Sequence, residues 1–133
     1  MKKILVIGSM NMDFVAAVPH LPALGETMLA QSLDLVPGGK GANQACAIGR
    51  LGGHVAMLGC VGADTYGETL CANLAGAGVD VSHVCRKEQA STSIAVIGVT
   101  PQGDNSILVL PGANSGVDPA YIQAHLDLLE ECD

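Results

Sequence analysis

The sequence predicts an α/β protein, a partial doubly wound and mostly parallel sheet carrying a small β-sheet lid. Three observations predict it. Residues 3–8 form a short, continuous apolar run closed by Gly8-Ser9, as a strand buried on both faces of a parallel sheet reads. Residues 40–51 then place small apolar side chains at helical spacing, and Val55–Val61 is a second buried-strand candidate. The alternation of strand and helix is the mark of layers wound about one sheet.

In the first helix Ala42, Ala45, Ile48 and Leu51 lie along one side, and Gly52-Gly53 ends it. Thr65 with Glu68 three residues later is a capping-box pattern that opens a second helix. Leu70 and Leu74 share its inner face, and Gly78 sits past its end. Asp64 reads as a helix-initiation residue. Asp118-Pro119 opens a last helix, with Ile122, Leu126 and Leu129 as its buried stripe. Strand-like runs at 14–18, 28–36, 93–100 and 106–110 break this rhythm. The last two are joined by the turn residues Pro101–Asn105. The four are expected to assemble the lid, with Ile94, Val96, Ile97 and Val99 covering something on each face.

Composition narrows the function. The 133 residues suit one domain. The chain is 49% hydrophobic but holds one Phe, two Tyr and no Trp, so Ala, Val, Ile and Leu must build the core. A formal charge of −7 without a basic cluster beyond Lys2-Lys3 argues against nucleic-acid and anionic-membrane partners. No apolar stretch approaches the ~20 residues of a membrane span. Five cysteines without a C-x-x-C pair indicate reduced thiols in a cytoplasmic protein, with Cys46 and Cys71 acting as small hydrophobes. The four histidines show no ligand spacing, so no metal site is expected. Asp127, Glu130, Glu131 and Asp133 read as a solvated acidic end.

Two segments carry chemistry. In Pro37-Gly38-Gly39-Lys40-Gly41-Ala42-Asn43-Gln44-Ala45, glycines crowd a strand-to-helix junction and bare the first amides of the helix. Lys40 adds three donors and Asn43 a donor and an acceptor, a set suited to a polyhydroxylated or anionic ligand. The segment is not a Walker loop, because its Lys is followed by Gly. A glycine-rich turn with a solvated lysine is the plain alternative. The second segment is Gly8-Ser9-Met10-Asn11-Met12-Asp13, at the strand end where open α/β sheets bind ligands. Asn11 and Asp13 alternate, so both can face one crevice, and the carboxylate can accept from two sugar hydroxyls. An Asx turn remains the other reading.

Together, G-S-x-N-x-D at Gly8–Asp13, L-P-x-x-G-E-T at Leu21–Thr27 and G-G-K-G-A-N-Q-A at Gly38–Ala45 resemble the ribokinase (PfkB) family of carbohydrate kinases. Gly59–Asp64 with Gly67, Ser91-Thr92 and Gly112-Ala113-Asn114 fall where members carry similar segments. The resemblance covers all 133 residues but only the N-terminal half of a typical member. It implies ATP-dependent phosphorylation of a sugar hydroxyl, with the 5-hydroxyl of D-ribose foremost and deoxyribose, fructose and nucleoside kinases as alternatives. It implies that Asn11, Asp13, Gly39, Lys40 and Asn43 bind the substrate, and that the lid closes over it and packs against a partner's lid in a homodimer. Ala95 and Ile107 are candidate lid contacts, and Glu26 and Thr27 shape the turn into the lid. The cofactors implied are ATP and Mg2+, with a monovalent cation such as K+.

The family's second signature, G-A-G-D, which carries the general base, does not occur; Gly76-Ala77-Gly78-Val79 is a near miss. No catalytic residue is therefore expected in this chain, which looks cut and should not turn over alone. A non-catalytic sugar-binding module is the reading from another class.

Overall fold

The computed structural model describes residues 3–132. Lys2 and Asp133, of the basic pair and the acidic end, lie outside the described residues. Three parallel strands form the main sheet: β1 (Lys3–Ile7), β4 (His54–Leu58) and β6 (Val79–Asp80), in the order β1-β4-β6. Helices α1 (Lys40–Arg50) and α2 (Thr65–Gly76) pack on it. Their small and branched side chains meet the sheet in one core of Val6, Ala42, Ala45, Val55, Met57, Leu70, Leu74 and Val79. The close-packed aliphatic core that the composition required is thus present. The sheet is not covered on both faces at β1, where Ile4 and Ile7 are each 39% exposed.

A second sheet has the order β3-β2-β8-β9, from β3 (Ser32–Gly38), β2 (Asn11–Ala17), β8 (Ser93–Val99) and β9 (Asn105–Leu110). It is built from the four segments expected to form the lid, is called the lid sheet below, and departs most from the expected bounds at the starts of β2 and β3. Strand β2 begins at Asn11 rather than residue 14, because Asn11 already pairs with Gly38 on one side and Ser93 on the other. Strand β3 begins at Ser32 rather than 28, since Ala17, its last partner, ends β2. Apolar composition at Met28-Leu29 misled; Leu29 is an exposed loop residue. The β8–β9 hairpin forms across Pro101–Asp104 as its turn residues indicate. Its apolar residues do not cover something on both sides throughout, for Val96 and all of β9 stand exposed.

Four further expectations are corrected. Val55–Val61 is not one strand: at Gly59 the chain leaves the main sheet, and β5 (Cys60–Gly62) pairs instead with β7 (Cys85–Lys87). Met10 packs against Gly59 there, where a Cβ would meet its Sδ at 2.9 Å. Helix α2 is capped by Asp64, not Thr65; its Oδ1 accepts from Gly67 N at 2.8 Å, placing Thr65 inside the first turn. Leu51 closes α1 but lies 88% exposed, outside the buried face. The last helix is two short ones, α3 (Pro119–Gln123) and α4 (Leu126–Glu130). The His125 ring nitrogen Nδ1 lies 2.8 Å from the Tyr121 carbonyl, in place of the helical amide at the break. The buried side chain of α4 is Leu128, while Leu126 and Leu129 face outward. Asp118 caps α3 through Tyr121 N, and the Tyr121 hydroxyl donates toward the carbonyls of His83 and Gly59, fastening α3 to the body.

Candidate functional site

A cleft of about 560 Å³ lies where the lid sheet meets the start of α1, within the range of small-molecule sites. All five residues singled out in the sequence line it: Asn11, Asp13, Gly39, Lys40 and Asn43. Asn11 and Asp13 reach it not from the tip of β1, as first read, but from the opening residues of lid strand β2. Their period-two alternation, which the strand supplies, turns both toward the same side.

Glycines let the two segments meet. Gly39, the N-cap of α1, holds φ of 99°, and a Cβ there would stand 2.6 Å from the Ser9 carbonyl oxygen and 2.9 Å from Asn11 N. No side chain fits that approach. A Cβ on Gly38 would overlap the Asp13 carboxylate itself. The junction is then stitched by Ala42 N donating to Ser9 O at 3.0 Å, while Asn43 N closes the first helical turn on Gly39 O at 2.8 Å. Lys40 is exposed, and α1 has no acidic side chain in its first turn, so nothing there neutralises the partial positive charge of the helix start.

Opposite stands Asp13, half-buried in β2. Burial raises its carboxyl above the ordinary value of 3.8. It carries no hydrogen bond among the described residues, which leaves its acceptors turned to the cleft. Asn114, from the 3₁₀ helix Gly112–Gly116 that follows β9, completes the polar floor. Its Oδ1 accepts from Met10 N at 3.0 Å, and its Nδ2 donates to Met10 O at 3.2 Å and to Asn11 Oδ1 at 2.8 Å. Asn114 belongs to the Gly112-Ala113-Asn114 segment, but the sequence does not mark it as a residue of this site. It lies more than a hundred residues from Met10, and no local pattern points across such a gap.

The lid contributes the cleft's apolar wall: Ala95 and Ile97 of β8, and Ile107 and Val109 of β9. Register places Ala95 beside Val109 and Ile97 beside Ile107. Of the two lid candidates, both Ala95 and Ile107 thus face the cleft. Glu26 does not line it; in its own loop it accepts from Ala23 N at 2.8 Å and pairs with His20 at 2.9 Å. A second cleft, about 580 Å³, opens beside Tyr66, Ile94 and Leu110. Its carboxylate, Asp64, is already engaged: Thr92 N, Thr92 Oγ1 and Gly67 N all donate to it. A carboxylate held by three internal donors is committed to the fold, so the cleft at Asp13 is the better site.

Among the described residues no group of three or more His, Cys, Asp or Glu is placed to hold a metal ion, and Asp13 is the one carboxylate of the cleft. The described residues of the cleft do not form a Mg2+ site. No described helix is long and apolar enough to cross a membrane.

The whole chain, residues 1–133, matches the model of the pfkB family carbohydrate kinases. It is 44% identical to the ribokinase of Bacillus subtilis over 133 residues, which is all of this chain and 45% of that protein. It is 36% identical to the deoxyribokinase of Salmonella typhi over 129 residues, covering 97% of this chain and 42% of that one. The structure of Arabidopsis thaliana ribokinase complexed with ribose and ATP superposes with a TM-score of 0.76 at 34% identity, covering 85% of this chain and 37% of the other. The chain therefore spans somewhat less than half the length of the curated relatives it matches. With the α/β fold, the glycine junction and the cleft all in agreement, this chain belongs to the pfkB family of carbohydrate kinases.

Proposed function

We propose that the cleft binds a pentose, D-ribose foremost, and that the chain is the sugar-binding part of an ATP-dependent sugar kinase. One observation carries this reading: the Asp13 carboxylate and the bare start of α1, with Lys40 and Asn43, line a single cleft. A sugar hydroxyl both donates and accepts, so it suits a site with a carboxylate on one side and N–H donors on the other. Charge-assisted bonds of this kind contribute about 1.5–3 kcal/mol each. The apolar wall of Ala95, Ile97, Ile107 and Val109 suits the C–H face of the ring and excludes water.

The carbohydrate-kinase reading carries ATP and Mg2+ with it, and K+ as a monovalent partner. No residue of this chain is assigned to them, nor to the general base. The exposed apolar strand β9 supports a homodimer in which two lids pack. The relation to a deoxyribokinase keeps 2-deoxyribose as the nearest competing substrate.

Titration calorimetry of the chain with D-ribose, 2-deoxyribose, fructose and adenosine tests the proposal. Ribose is expected to bind most tightly, and Asp13→Ala to abolish the signal. Binding of adenosine without ribose, or ribose binding unchanged in Asp13→Ala, would overturn it.

A further inference from the structure

Asn114 makes three hydrogen bonds, and their polarity decides more than their number. Met10 N–H can only donate, so the atom that meets it at 3.0 Å must be the carbonyl oxygen of the Asn114 side chain. The amide nitrogen is then forced to the other side, where its two hydrogens meet Met10 O at 3.2 Å and Asn11 Oδ1 at 2.8 Å. Both are used. The backbone of Met10, a donor at N and an acceptor at O, thereby fixes which way the Asn114 amide lies. Asn114 in turn orients Asn11: its side-chain carbonyl is held toward Asn114 Nδ2, so its NH₂ group is the end turned away from Asn114.

We propose that Asn114 is a positioning residue that sets Asn11 as a hydrogen-bond donor to a sugar hydroxyl oxygen. The inference rests on the sugar-cleft reading above and deepens it. It gives the cleft a defined polarity, with Asn11 donating and Asp13 accepting from the same strand two residues apart. Adjacent hydroxyls of a polyol can satisfy both at once, one as acceptor and its neighbour as donor. An amide free to flip would present the wrong end half of the time.

The anchor is stiff enough for the task. Ala113 is buried, and its N–H donates to Ser91 O at 2.8 Å, pinning the 3₁₀ helix to the segment that enters β8. Asn114 follows the last lid strand by four residues, so the same tether links the lid's exit to the binding strand.

The test uses the whole chain and the variant Asn114→Asp, close to isosteric. Its carboxylate still accepts from Met10 N–H but has no hydrogen for Asn11 Oδ1. The Asn11 amide is then expected to turn and present its carbonyl to the cleft. Two readouts separate the claims. In side-chain amide NMR spectra without ligand, the Asn11 NH₂ pair, identified by its loss in Asn11→Ala, should move in Asn114→Asp. With D-ribose, the variant should bind at least tenfold more weakly, and Asn11→Ala combined with Asn114→Asp should be no weaker than Asn11→Ala alone. An Asn11 amide pair unmoved by Asn114→Asp overturns the inference, as do losses that simply add in the double variant. If the parent chain binds none of the sugars, the substrate reading fails, and the amide pair alone then decides whether Asn114 orients Asn11. Thermal unfolding of each variant checks that it is folded.

Discussion

Asp64 and Thr92, 28 residues apart, are joined by two hydrogen bonds: Thr92 N donates to Oδ2 at 2.8 Å and Thr92 Oγ1 to Oδ1 at 2.5 Å. The same carboxylate caps α2 through Gly67 N, and Thr92 Oγ1 also accepts from Gly62 N at 2.9 Å. Asp64 and Thr92 together thus hold the start of α2, the end of β5 and the entry to lid strand β8. Asp64→Ala removes a cap worth about 1 kcal/mol and strands the buried Thr92 hydroxyl and amide. We expect a loss of roughly 2–4 kcal/mol in urea unfolding, against which a loss below about 0.5 kcal/mol would contradict the assigned role.

The same network has a pH signature. Burial works to raise the Asp64 carboxyl, but the bonds from Thr92 Oγ1, Thr92 N and Gly67 N outweigh it and hold the group below 3.8. A carboxyl depressed in the folded state binds fewer protons there than when unfolded. Its contribution is therefore present above the ordinary value and is lost as pH falls through the folded one. Between about pH 5 and pH 2 the parent should lose more stability than Asp64→Asn does. Equal losses in parent and variant would remove Asp64 from the acid transition.

Asp13 has the opposite sign. Burial raises its folded pKa, so the unliganded fold binds a proton more readily than the unfolded chain, and stability from this group falls as pH rises through that interval. Sugar hydroxyls need the ionised form. Asp13→Asn is thus expected to leave the unliganded chain as stable as the parent or more so at neutral pH, while weakening ribose roughly 100-fold or more through two lost charge-assisted bonds. Calorimetry and urea melts on one preparation check both halves. A variant that is less stable yet still binds would reverse the account.

How far these relationships were legible in the sequence differs by kind. The strand-to-helix junction at Gly38–Asn43 was legible because its demands are local: each glycine is required by a neighbour's approach, and the residue types declare it. The placement of Asp13 opposite that junction was legible only through the spacing with Asn11. That spacing gave the right side, although the strand that supplies the alternation is β2 rather than the end of β1. The break at Gly59 was hidden because β4 and β5 are equally apolar and equally buried. At the division Gly59 lies against Met10, from the segment that joins β1 to β2. The Asp64–Thr92 and Asn114–Met10 bonds were out of reach for the same reason. They join segments with no common period, and only the folded topology brings them together.

Neighbouring glycines should fail in different ways. At Gly39 a Cβ would meet backbone, Ser9 O and Asn11 N, and the residue must also hold φ of 99°. Neither can move aside, so Gly39→Ala is expected to cost at least ~2 kcal/mol of stability. At Gly38 the obstacle is the Asp13 side chain, which can rotate away. Gly38→Ala should therefore unfold within about 1 kcal/mol of the parent yet lose most of its ribose affinity, because the displaced carboxylate no longer faces the start of α1. Thermal melts and ribose titrations of the two variants separate the cases. If Gly38→Ala unfolds as early as Gly39→Ala, or binds ribose like the parent, the close packing of Asp13 on Gly38 does not shape the site.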